Sequence, residues 1–430
     1  MHTLTLIRSK LMLTLAALVL MAAVVAVPLA FSGGYSHAAP AQRNASNKGK
    51  PDGTAFRATR KTRSVRAHVH HNSAMTSATS VSGDPFLYVD DGSFVDLIDV
   101  FQVSTTSISF VGAFPTGGSF SSGFFGTQDI DVTPANGIHT APCLVYIDNS
   151  NGFVNSFLIN TNGSLGARVS HLPNVNPIDV HISQDGKLVY VNSLTSSNTA
   201  RLASYSLGAG CVLTALTTLS TTHFYVSFAL ASLTDLVTVD SNSNIHTIDT
   251  YALTPSGGIS LLKSVTGQIS FQPDSVAVQT TGGSDVFTGQ ATFNPPLAQG
   301  GNENLSTGDI SFLSGSPKRD PDFFNSDGAA VFVDNSDKLL VQGEQGSATL
   351  VLYSFTASSM ALKENDIFLD FQFAEPTSFA QLGNILFVNG GVGGDVEACP
   401  ISSSGIPRFG CRTVAVLSDS SGFAGGSVIL

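Results

Sequence analysis

A dipeptide made of a small polar or acidic residue and then an aliphatic or aromatic one returns along this chain at an almost fixed interval. Asp131-Val132, Asp179-Val180, Ser227-Phe228 and Ser275-Val276 stand 48 residues apart; Ala330-Val331 follows after 55, Ser378-Phe379 after 48 and Ser427-Val428 after 49. A second apolar run trails most of these starts: Leu144-Val145-Tyr146-Ile147, Leu188 to Val191, Leu236 to Val239, Leu339 to Val341 and Ile385 to Val388. The runs are short, rich in β-branched and aromatic residues and bounded by Gly, Ser, Asn and Asp, with no helical period. One unit reads Pro177 to Ser183, the turn Gln184-Asp185-Gly186-Lys187, Leu188 to Asn192, Ala200 to Leu207, and Cys211 to Leu219. These are four strands, here called a to d, joined by hairpin turns. Such a unit cannot bury its faces alone, and four strands in a period near 48 predict the blades of a propeller.

The ends of the pattern predict how the ring closes. Phe86 to Asp90 matches strand b, Asp96 to Val103 strand c and Ile108 to Phe114 strand d, with no strand a before them. At the other end Gly426 to Leu430 matches strand a, and the sequence stops. The last strand is therefore expected to complete the first blade, which removes the open edges of the sheet array. The fold class that follows is all-β, a seven-bladed β-propeller over residues 81–430 with four antiparallel strands per blade. The fifth unit fits least well: Asn294-Pro295-Pro296 to Asn304 reads as a Pro/Gly-rich insertion, a loop over one face.

Two segments precede the repeats. Arg8 and Lys10 lead into Leu11 to Phe31, which carries no charge, and Ser36-His37-Ala38 offers small residues for a peptidase; residues 1–38 read as a signal peptide or an uncleaved anchor. Residues 39–80 hold eight Lys and Arg against Asp52 alone, a net of +7, and almost no large apolar residues. That composition cannot offset the entropy of ordering and predicts a basic disordered tether. His68, His70 and His71 follow it without periodic partners. The expected address is outside the cytoplasm: secreted, periplasmic or at the cell surface.

The body has the opposite charge. Residues 81–430 keep ten Lys and Arg against thirty Asp and Glu, a net of −20, which argues against nucleic acid as a partner. A small-molecule or protein ligand met outside the cytoplasm fits better, with any membrane contact made through an uncleaved N-terminus. A monomer is expected. The four cysteines are too few for a disulfide scaffold. Cys399 and Cys411 flank Ser404-Gly405 nearly symmetrically, which would face them across a hairpin and predicts a disulfide. Cys143 and Cys211 fall in neighbouring units and either pair or stay buried.

Familiar catalytic signatures are missing: no Gly-x-Ser-x-Gly elbow, no His-Glu-x-x-His and no phosphate-cradling Gly loop. Asp240-Ser241-Asn242-Ser243-Asn244 imitates half a calcium loop, but Ile245 and Tyr251 occupy the places of the required Gly and Glu. It reads as the b–c turn of the fourth blade. The repeat itself supplies a better candidate. Asp131, Asp179, Ser227, Ser275, Ala330, Ser378 and Ser427 open the inner strands and should ring one mouth of the central channel. Within that ring Asp131 and Asp179 could hold a divalent cation such as calcium, and the serines could contact a ligand. The competing reading is that small polar residues fit where inner strands converge and that the two acids cap neighbouring amides. Asp179 and His181, two residues on, are the candidate catalytic groups. Arg168, His171, Arg201 and His223 fall near blade edges and turns and are assigned to no site.

The stretch Pro-Ile-Asp-Val-His-Ile-Ser-Gln-Asp-Gly-Lys over 177–187, continued as Leu-Val-Tyr-Val-Asn to 192, resembles the YVTN-type, lactonase-like seven-bladed propellers. That group includes 6-phosphogluconolactonase and carboxymuconate cyclase relatives. The resemblance implies the fold over most of 84–430 more strongly than an activity. Lactonases of the group carry a His after the strand-a proline and an Asp-Leu-Gly-x-Asp stretch after strand b. Here Ile178-Asp179 and Asn192-Ser193-Leu194-Thr195-Ser196 stand there instead. The expectation is thus a ligand- or protein-binding module at the cell envelope, contacting partners through 294–304 and the ring mouth. The alternative is a lactonase-type hydrolase opening a lactone or related cyclic ester, with Asp179 or His181 as general base. Redox chemistry on a quinone cofactor is weakened by the lack of Trp and of a basic pocket.

Overall fold

The computed structural model describes residues 85–430, apart from 93–96, 119–128, 135–138, 196–198, 242–245, 270–272, 280–283, 291–296, 320–327, 345–347, 370–375, 391–393 and 419–422. Residues 1–38, expected to be a signal peptide or anchor, and 39–80, expected to be a tether, lie outside the described residues. The repeats fold as seven antiparallel sheets arranged blade after blade. The third blade shows the pattern: inner strand Pro177–Ile182, then Leu188–Leu194, Ala200–Leu207 and the outer strand Leu213–Ser220.

The first blade is built from both ends of the repeat array. Phe423–Ile429 pairs with Phe86–Gly92, setting Tyr88 opposite Val428 and Val89 opposite Ser427. The Leu430 amide donates to the Phe86 carbonyl at 2.9 Å, so pairing runs to the last residue. Packing gives the same answer independently. Among the described residues there are seven apolar clusters, and each is shared by two neighbouring blades. An open stack of seven blades has one seam fewer than a ring. The extra seam joins blade seven to blade one, through Phe387, Val396 and Leu417 against Leu87, Val89 and Phe101.

The third strand of each blade follows one rule. In Leu97–Val103, Phe153–Ile159, Thr247–Leu253 and Leu297–Asn304 the ends of the strand alternate toward partial exposure while the middle is buried on both faces. Burial on both faces is what sandwiching between two blades demands. The last of these strands corrects an expectation: most of the stretch read as a loop, 297–304, is strand c of blade five. Its glycines are there for close approach. A Cβ on Gly300 would stand 2.6 Å from the Phe287 ring, and one on Gly301 2.5 Å from Ile310 Cγ2. Asn294, Pro295 and Pro296 lie outside the described residues. The outer edge of this blade is divided between Asp309–Phe312 and Lys318–Arg319, both paired to the same strand.

Strand direction defines two faces. One carries the d–a crossovers and b–c turns, and we call it the crossover face. The other carries the a–b and c–d turns, the turn face. Cys143 is disulfide-bonded to Cys211 across blades two and three, and Cys399 to Cys411 within blade seven. The expected pairing of Cys399 with Cys411 is therefore present, and Cys143 and Cys211 pair rather than remain as buried thiols. Both bonds sit toward the turn face, where short hydroxyl side chains add further ties. Ser156, Ser204 and Thr250 occupy the same place in three successive strands c. They donate to the carbonyls of Cys211, Gly257 and Gly308 in the next blade, at 2.5, 2.5 and 3.1 Å. Blades two to five are thus tied one to the next on the turn face.

Candidate active site

The ring residues are all buried in the inner strands. At six of the seven positions the ladder slips by a residue, for example between Pro177 and Asp179 and between Pro273 and Ser275. A bulge re-aims a side chain and bends its strand, so a small polar residue recurs where each inner strand must turn. Asp131 accepts the Val132 amide at 2.8 Å and, from the next blade, the Ile182 amide at 2.7 Å. Asp179 accepts the Phe228 amide of the following blade at 2.8 Å. The two acids are ties between inner strands. His181 stands 3.5 Å from Asp179 and edge-on to the Phe228 ring at 4.6 Å, and it is only 6% exposed. The hydroxyls of Ser275, Ser378 and Ser427 are buried without a hydrogen-bond partner.

A second ring was not legible as a site in the sequence. The third residue of strand c is Asp99, Asn155, Asp249, Gln299 and Glu397 in blades one, two, four, five and seven, polar and fully buried in each. In three of these blades the side chain grips the crossover arriving from the blade before. Asp99 accepts the Ser418 amide at 3.0 Å and its hydroxyl at 2.7 Å. Gln299 accepts the amides of Gln268 and Ile269 at 2.7 and 3.2 Å. Burial pushes the Asp99 carboxyl up to about 7 against the opposing pull of Ser418.

Asp249 uses the same position to hold a histidine. The crossover into blade four is short, and it places His223 two residues ahead of Tyr225, the first residue of the inner strand Tyr225–Leu230. His223 Nδ1 lies 2.5 Å from Asp249 Oδ2, and the Tyr225 hydroxyl donates to the same oxygen. Because Tyr225 directs its proton to the carboxylate, its oxygen accepts from the Tyr251 hydroxyl at 2.6 Å. Asp240 accepts the Phe224 amide at 3.1 Å and stands 4.0 Å from His223 Nδ1. Burial first, then the charge of Asp249, raises the Tyr225 hydroxyl far above the ordinary phenol range, so it stays a proton donor. Burial likewise raises Tyr251. Asp249 is wholly buried while the His223 side chain is 26% exposed.

A carboxylate that holds Nδ1–H fixes the ring tautomer and leaves Nε2 with its lone pair. His223 thus combines an orienting acid on Nδ1 with a side chain that stays partly exposed, the arrangement a general base needs. The other unassigned residues are held elsewhere. His171 Nδ1 meets Asn155 at 2.7 Å with its ring stacked on Phe153. Arg168 donates to the Thr116 carbonyl at 3.3 Å, and Arg201 lies 3.5 Å from the Thr218 hydroxyl on the outer strand. Asp240 and Ser241 do begin the b–c connection of blade four, and 242–245 fall outside the described residues.

No protein-family profile matches the chain, and no curated protein is detectably similar in sequence. Solved structures are similar in shape. A periplasmic gluconolactonase from Pseudomonas aeruginosa superimposes with a TM-score of 0.60 at 14% identity, over 80% of this chain and 99% of that one. A protein from Lactobacillus plantarum gives 0.60 at 15% identity, over 81% and 99%. A candidate 6-phosphogluconolactonase from Bacteroides fragilis gives 0.59 at 10% identity, over 82% and 100%. Identity this low carries the architecture and not the chemistry. In fold, this chain is a seven-bladed β-propeller similar in shape to these structures.

Proposed function

We propose that this protein is an exported hydrolase that opens a lactone or related cyclic ester on the crossover face of blade four, with His223 as general base and Asp249 as its orienting acid. The observation that carries the reading is the His223–Asp249 pair: a buried carboxylate bound to a partly exposed imidazole beside two protonated tyrosines. His223 Nε2 takes a proton from water as the oxygen attacks the ester carbonyl. The ring C–O bond then breaks, and the departing alkoxide receives that proton, giving an open-chain hydroxy acid. Two of the shape relatives bear lactonase names, which supports the reaction class. The net charge of −20 over residues 81–430 favours an uncharged lactone over a phosphorylated one. Both disulfides support export, as does the apolar N-terminal run.

The envelope-binding reading has lost one of its two expected contact regions, because most of 294–304 is a strand inside blade five. Asp179 and His181 are less suited to act as the base: Asp179 carries an inter-blade tie and His181 is nearly sealed. The test is ring opening across a panel of five- and six-membered neutral lactones, corrected for spontaneous hydrolysis, with wild type and His223→Asn. Turnover that His223→Asn removes while the melting temperature holds is the expected result. No member opened faster than in buffer would refute the assignment.

A further inference from the structure

The position at the turn-face end of strand c that aligns with Val103 of blade one is apolar and buried in six blades: Val103, Ile159, Leu207, Leu253, Phe355 and Ile401. In blade five that place belongs to Glu303, which is 3% exposed. Neither carboxylate oxygen of Glu303 has a hydrogen-bond partner. A charge in a core slot without a partner is among the most costly arrangements a fold can hold. Among the described residues, the charged group acting on Glu303 is another acid, Asp235. Glu303 is paired opposite Ile310, whose side chain packs with Val237 and Val239 of blade four. Asp235 shares the face of Val237 and Val239 by strand alternation, and it enters the same seam from strand Asp235–Asp240. Ser232 and Thr234 sit beside it, their hydroxyls 2.7 and 2.5 Å from Asp235 Oδ2. Burial and the nearby Asp235 charge together hold the Glu303 carboxyl up at about 7. Such a carboxyl is waiting for a proton or for a cation.

We infer that the blade-four/blade-five seam on the turn face is a cation site, with Glu303 and Asp235 as charged ligands and the hydroxyls of Ser232 and Thr234 as supporting oxygens, taking a hard divalent ion such as calcium. The donor set is entirely oxygen and carries two carboxylates, which suits calcium and disfavours softer metals. Nitrogen and sulfur ligands are absent from the set. The site lies on the opposite face from His223 and is independent of the hydrolysis reading, so either can fail alone.

The test uses the full chain in EDTA and in millimolar calcium chloride, followed by thermal unfolding and by calcium titration calorimetry. Wild type is expected to melt roughly 2–5 °C higher in calcium. Glu303→Leu restores the residue type of the other blades, so it should fold and should lose both the calcium shift and one bound ion. Asp235→Asn should weaken calcium binding at least tenfold without abolishing folding. Identical wild-type melting in EDTA and calcium, or a calcium shift that survives Glu303→Leu, would overturn the assignment.

Discussion

Asp249 and Glu303 are two buried carboxylates on the third strands of adjacent blades, and they differ in everything but burial. Asp249 stands where several blades carry a polar group, and its Oδ2 is taken by His223 and Tyr225. Glu303 stands where every other blade is apolar, and both of its oxygens lack partners. The first is a common structural position put to another use: the polar residue that elsewhere grips a crossover amide here holds the His223 imidazole, the group proposed above as the base. The second is a departure from the structural rule. In a repeat protein the other repeats serve as internal controls, so a shared polar position and a solitary one call for different explanations.

The comparison can be broken most severely at Asp249. Asp249→Asn keeps the size of the side chain but removes the carboxylate that holds His223 Nδ1. Lactone turnover should fall by about 10²–10⁴-fold, the range of general-base contributions, as measured by initial rates. Stability at the two disulfides should separate next. The Cys143–Cys211 bond spans 68 residues of sequence and joins two blades, whereas Cys399–Cys411 spans 12 inside one. Chain-entropy arguments give about 4 and about 3 kcal/mol for loops of these lengths, so Cys143→Ser with Cys211→Ser should lower the denaturation midpoint more than the matching pair in blade seven.

Sharper still is the response to pH. Asp99 and Glu303 are held near 7 in the fold and Asp285 near 6, all by burial first. In the unfolded chain such groups titrate near 4. Between about pH 4 and pH 7 the folded state therefore binds more protons than the unfolded state, and stability must fall as pH rises through that window and level off above it. Melting temperatures in EDTA from pH 5 to pH 8 should decline, and Glu303→Gln should make the decline shallower. The smallest effect belongs to the turn face: Ser204→Ala removes one tie to Gly257 and should cost about 1 kcal/mol in chemical denaturation.

The architecture was legible because a propeller writes its period into the sequence. The spacing of Asp131, Asp179, Ser227 and Ser275 gave the blades, and the orphan strand at Gly426 to Leu430 gave the closure. Blade five misled because Gly300 and Gly301 look like loop residues, whereas they serve the close packing of Phe287 and Ile310. Proximity of glycines to rings in other strands leaves no local trace. The proposed base was hidden for a related reason. His223 sits in a crossover 26 residues before Asp249, and only the folding of strands a to c around one blade brings them together. The signal that could have found it was the polar third residue of strand c in Leu-Ile-Asp-Val-Phe, Phe-Val-Asn-Ser-Phe and Thr-Ile-Asp-Thr-Tyr. The acids Asp131 and Asp179 drew attention by being charged, but their carboxylates meet the amides of neighbouring blades.

The most direct measurement is kcat/KM for opening of a neutral six-membered lactone by four proteins: wild type, His223→Asn, Asp249→Asn and the double variant. If the two residues act as one base, wild type exceeds the spontaneous rate, and the double variant is no slower than His223→Asn alone. A wild-type rate equal to that of buffer, or losses from the two substitutions that simply multiply, would contradict the assignment of His223 and Asp249 to a single catalytic unit.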